Sequence, residues 1–193
     1  MSEIFLIIFQ IFFIFALTFY SVPEIKLGKK LSLSLTDKLA INSLILINIF
    51  LVFSFINFNI NHLFLFLIFI SIFLIITKKN KLTTIVNYEL IYIFLIIFLI
   101  SITLASNLEL GWDAKDFWFL KVLNFYQYEN LYNLDKLPVT DYPHLGSFIW
   151  SFFWKFPFNQ YEYLGRIYFI FFYIISIFSF LELKKINQIK KII

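Results

Sequence analysis

A chain of 193 residues that is 61% hydrophobic and only 15% charged, with a mean hydropathy of +0.86, does not read as a soluble domain; an all-α polytopic membrane protein is expected. Zero cysteines exclude disulfides and thiolate metal sites. The net charge of +4 comes from lysines placed beside apolar runs instead of on one polar face, which argues against nucleic acid as a partner.

The first predicted span covers about residues 4–22. Its start, Met-Ser-Glu-Ile, lacks the basic stretch of a signal peptide, and no Ala-x-Ala site follows, so an uncleaved anchor is expected. The second and third spans, about 39–57 and 62–77, are joined by a tight hairpin of Asn57, Asn59, Asn61 and His62. The fourth runs from about 88 to 106 and the fifth from about 164 to 182. Gln10, Asn42 and Asn48 are polar groups within these runs and are read as interhelical hydrogen-bond donors. Glu89 lies at the end of its span, so no ionisable group is expected at mid-membrane, which argues against an ion-coupled transporter.

The lysines set the expected orientation. Lys26, Lys29, Lys30 and Lys38 follow the first span, Lys78, Lys79 and Lys81 the third, and Lys184, Lys185, Lys190 and Lys191 the fifth. With the N-terminus outside, all three clusters fall on the cytoplasmic side, and the hairpin at 57–62 shares the outer side with the segment 107–163. That arrangement needs about five spans and a stretch 145–156 that does not cross. The chain then divides into residues 1–87, three membrane helices with short connectors, and 88–193, a helix, a large outward loop, a last helix and a basic tail.

The outward loop carries what chemistry the sequence offers. It holds Asp113, Asp116, Asp135, Asp141, His144 and all four tryptophans. Trp112 and Asp113 should lie just outside the hydrocarbon, at the depth tryptophan prefers. Asp113 can N-cap a helix over about 114–127, with Asp116 as the acid of a capping box. At about 100° per residue, Asp113, Asp116, Asn124 and Gln127 fall on one side of it. Trp118, Phe119, Val122, Phe125 and Tyr126 fall on the other, which predicts an amphipathic helix lying on the membrane surface. Pro138 and Pro143 break the chain. Leu145–Phe156 is too short to span and is read as interfacial or re-entrant.

The run GWDAKDFWFLK, followed by DYPHLGSFIWSFFW and an arginine-led membrane helix, resembles the GT-C superfamily of integral-membrane glycosyltransferases over about residues 88–185. In that family an aspartate opens the first large outward loop, and the chain returns to the membrane near a Tyr-Pro-Pro or Asp-Tyr-Pro element. Asp113 matches the first feature; Asp141, Tyr142 and Pro143 match the second. His144 stands where many members have proline or leucine. Family members continue through further membrane helices, so the chain is expected to represent the N-terminal portion of such an enzyme and, alone, to lack part of the donor-lipid groove. The resemblance implies transfer of a sugar from a polyprenyl-phosphate donor to a hydroxyl of a glycan, lipid or protein, with inversion, at the outer face of a bacterial inner (cytoplasmic) membrane.

Each candidate carries a plainer reading beside the chemical one. Asp113 is either the general base or only a helix cap. Asp116 is a substrate ligand or a solvated first-turn acid. Asp141 with Tyr142 contacts substrate or merely forms a turn, and His144 contacts donor or acceptor or is a hydrogen-bonded surface group. Arg166, the only arginine, meets the lipid phosphate or snorkels to the interface; Lys155 is a similar candidate. No metal-ligand spacing occurs, so no tightly held ion is expected, and a weak Mg²⁺ or Mn²⁺ bridging Asp113, Asp116 and the donor phosphate is left open. Two other classes stand beside the enzyme: a non-catalytic membrane subunit or truncated product whose loop docks a partner, and a fragment of a polysaccharide polymerase or ligase.

Overall fold

The computed structural model describes residues 2–23, 34–78, 88–137, 140 and 143–189. The chain is an all-α polytopic membrane protein. Helices α1 (Glu3–Tyr20), α2 (Leu35–Phe55), α3 (Ile60–Lys78) and α4 (Tyr88–Ser106) precede the loop. The loop carries a π-helical turn (Ala114–Trp118), α5 (Phe119–Tyr128), a short 3₁₀ turn (Leu134–Lys136) and α6 (Leu145–Lys155), and α7 (Tyr163–Ile189) ends the described chain. Four segments are long and apolar enough to cross a membrane: Glu3–Tyr20, Leu35–Phe55, Ile60–Thr77 and Tyr163–Leu181. The expected fourth span appears as α4, a further apolar helix.

Local chemistry sets several boundaries. Helix α2 begins at Leu35, earlier than the hydropathy alone suggests, because Ser34 and Asp37 form a reciprocal capping box: Ser34 Oγ accepts from Asp37 N (3.1 Å) and Asp37 Oδ2 accepts from Ser34 N (3.3 Å). Asp37 also accepts from Ser179 Oγ at 2.6 Å, tying the start of α2 to α7. Of the three polar residues expected to bond between helices, two do so. Asn42 donates to Thr18 O (3.2 Å), and Gln10 donates to Phe153 O (2.8 Å) and Phe156 O (3.2 Å). Asn48 instead bonds back to Leu44 O in its own helix (2.8 Å).

Helix α6 packs against three other helices. Its residues Ser147 to Phe153 are buried without a break, so no face of it is left for a headgroup layer. It is held among α2, α5 and α7. Gln10 explains how its end is tolerated: the last carbonyls of a helix have no internal partner, and here an amide from a membrane helix supplies one. Gln10 lies seven residues beyond Glu3, so α6 ends about 10 Å below the start of α1. Phe50 of α2 packs edge-on against Phe152 (4.9 Å), and Phe153 stacks on Tyr168 of α7 (4.4 Å). Gly165 permits the closest approach of α6 to α7: a Cβ there would fall 2.9 Å from Trp154 N and closer still to Trp150 O.

Candidate functional site

The helix after α4 does not start as the sequence suggests. Gly111 O accepts from Lys115 N (2.9 Å), and Asp113 has helical backbone angles (φ −58°, ψ −41°) with no capping hydrogen bond. Asp113 is therefore within the first turn, and the cap reading is corrected. Gly111 takes the cap position two residues earlier, a residue type that position tolerates. Asp113 is exposed and makes no hydrogen bond or ion pair with another described residue; Trp112 beside it is 70% exposed and packs edge-on against Phe117 (5.2 Å).

The π-turn that follows, closed by Phe119 N to Ala114 O, also corrects the expected face. A wider turn slips the phase of everything before it relative to α5, so Asp113 is exposed while Asp116 is half-buried. Past the turn, the predicted apolar face holds. Val122 and Phe125 are buried, Tyr126 stacks on Trp154 (3.9 Å), and Phe119 lies 5.8 Å from Trp150. What it covers is α6 and not the membrane surface, because α6 offers those rings a protein partner.

His144 sits at the start of α6 without capping it, its Nδ1 buried and unpaired among the described residues. Burial, and then the charge of Lys121, hold its pKa below the ordinary histidine value, so the ring is neutral at pH 7. Lys121 was not singled out in the sequence. It is 1% exposed, with its ammonium 6.0 Å from the Trp118 ring, and its position inside the stripe formed by Trp118, Val122 and Phe125 was the available signal.

Arg166 is already paired. Its Nε and Nη2 donate to Glu162 Oε1 (2.9 Å) and Oε2 (2.6 Å), and the guanidinium lies 5.4 Å from the Trp150 ring. Its side chain is 14% exposed. The i,i+4 spacing of Glu162 and Arg166 was legible in the sequence. Lys155 is engaged too, donating to Glu129 Oε1 (3.1 Å) and Tyr126 O (3.4 Å). Asp135 is exposed in the 3₁₀ turn. Asp141 and Tyr142 lie outside the described residues.

Glu129, also missed, is the most heavily bonded acid of the loop. It ends α5 in the left-handed region (φ 64°) and accepts from Asn59 Nδ2 (2.8 Å), from Asn61 Nδ2 and from Lys155. The bonds from Asn59 and Lys155 hold its carboxyl below the usual glutamate value. Its carbonyl accepts from Ile60 N (2.8 Å), and Asn57 brackets Leu131 through N–H (2.6 Å) and C=O (3.0 Å). The α2–α3 hairpin and the loop thus meet at one end of the bundle, as the lysine pattern requires.

The site divides accordingly. Lys121 and His144 lie together at the start of α6, while Arg166 and Glu162 pack on Trp150 farther along it. Asp113 and Asp116 stand at the start of the loop and bond to neither group. Among the described residues no three His, Asp or Glu side chains gather as a metal would need. No protein family, curated protein or solved structure matches the chain.

Proposed function

We propose that the protein is a membrane glycosyltransferase unit of the GT-C type, acting at the outer face of a bacterial cytoplasmic membrane on a polyprenyl-phosphate sugar. The observation that carries this reading is the condition of Asp113: a carboxylate in the first turn after a membrane helix, exposed, with no cap to make and no described partner. The acceptor hydroxyl would give its proton to Asp113 as its oxygen attacks the anomeric carbon. The bond from that carbon to the donor phosphate breaks on the opposite face, and the polyprenyl phosphate leaves with the electron pair. Arg166 would meet the phosphate through Nη1, the nitrogen not engaged by Glu162. Asp116 and His144 would contact donor or acceptor.

The test is sugar transfer in membranes from a polyprenyl-phosphate donor, with Asp113→Asn and Asp116→Asn at matched abundance. Asparagine keeps the shape and cannot take the proton, so Asp113→Asn should lose about 10²- to 10⁴-fold in rate. Asp116→Asn should lose less than tenfold. Near-wild-type transfer by Asp113→Asn would end the catalytic reading.

A further inference from the structure

One other part of the loop is built for contact. Tyr128 and Tyr132 are 50% and 52% exposed, and their rings lie 4.8 Å apart, tilted by 33°. The backbone that presents them is fixed at successive points. Asn124 brackets Tyr132, donating to its carbonyl (2.9 Å) and accepting from its N–H (2.8 Å). Asn57 does the same for Leu131, and Ile60 N holds the Glu129 carbonyl. Three asparagine and main-chain contacts from two elements thus immobilise a surface turn whose two large side chains remain half in solvent. Fixing a segment costs conformational entropy, and the usual return is a contact surface that loses little freedom when a ligand arrives.

The surroundings choose the ligand. Gln127, Asn133 and Asp135 are exposed nearby and Asn130 is half-buried, so the rings are bordered by amides and a carboxylate. A lipid contact, with both rings at headgroup depth, is the competing occupant that the spin-label measurement below separates. A protein partner would want a broader apolar patch than two phenol rings provide. A pyranose fits both features: its C–H face lies against an aromatic ring while its hydroxyls bond to amides and carboxylates. We propose that Tyr128 and Tyr132 form a docking platform for a sugar ring of a glycan acceptor. The identification of that glycan as acceptor rests on the glycosyltransferase reading; the binding itself does not.

Binding is therefore measured without turnover. The protein in lipid nanodiscs is mixed with a panel of neutral tetrasaccharides (cello-, malto-, manno- and chito-series), and saturation-transfer NMR is recorded against empty nanodiscs. At least one saccharide should receive saturation at its ring C–H protons. Tyr128→Ala and Tyr132→Ala should each weaken that binding by roughly 2- to 13-fold, the range expected for one aromatic contact. Tyr132→Phe should stay within about twofold, since the ring face remains. Asn124→Ala should weaken binding although it removes no exposed ring. The readout needs no transfer, so failure of the transfer reading leaves this result untouched. The proposal is overturned if no saccharide signal exceeds that of empty discs, or if both alanine variants bind as wild type. Protection of the two rings by lipid, seen as broadening from a headgroup spin label, would overturn it in favour of a membrane contact.

Discussion

Glu129 and Asp113 are carboxylates at the two ends of one juxtamembrane helical segment, and they are spent differently. Glu129 accepts from two asparagines and a lysine contributed by α3's first residues, the hairpin before it and α6. Asp113 accepts from no described residue. A carboxylate satisfied on all sides is a structural joint, because moving it would leave several donors unpaired. A carboxylate left in water at a fixed position is available to a substrate. The first holds the loop on the bundle; the second is what the loop holds out.

The widest separation between the two should appear in activity. Asp113→Asn should cost about 10²- to 10⁴-fold in transfer with no change in thermal midpoint, whereas Glu129→Gln, compared at equal folded abundance, should retain transfer within about tenfold. If both lose activity equally, the division of roles is wrong. Next in size is a change to the frame both depend on. Gly165→Ala puts a methyl against the Trp150 and Trp154 backbone, where no side-chain rotation relieves it. It should destabilise by about 1–3 kcal/mol, read from thermal unfolding in detergent.

Glu129→Gln should itself cost about 1–2 kcal/mol, since the Lys155 contact loses its charge and one amide meets another. Its depressed pKa gives that stability a pH signature. The contribution is complete above the unfolded glutamate value and is lost as pH falls through the lower folded value, so acid should destabilise the wild type more than Glu129→Gln. Unfolding midpoints from pH 7 down to 3 decide it; parallel curves would refute it.

The smallest effect concerns His144. Its folded pKa is lowered, so the stability it contributes is present above about 6.5 and lost as pH falls through the folded value. NMR titration should place its midpoint below the ordinary value. Lys121→Gln should move it up only in part, since burial is the larger cause.

The membrane helices were legible in the sequence because hydrocarbon demands long apolar runs with internally satisfied backbone, and α1, α2, α3 and α7 meet that demand by composition alone, with α4 a further apolar helix. So was the meeting of the Asn57–His62 hairpin with the outward loop, since lysine placement separates two sides of a bilayer. The face of α5 was legible as well, from the spacing of Val122 and Phe125. What covers that face was not, because periodicity states that a surface is apolar and not whether lipid or α6 lies against it. The π-turn that separates Asp113 from Asp116, the Gly111 cap and the embrace of Glu129 all depend on which backbone and side-chain groups arrive together in space. Composition decided that this chain enters a membrane; only the packing of α6 among its neighbours decided which of its few polar groups are joints and which are left free to act.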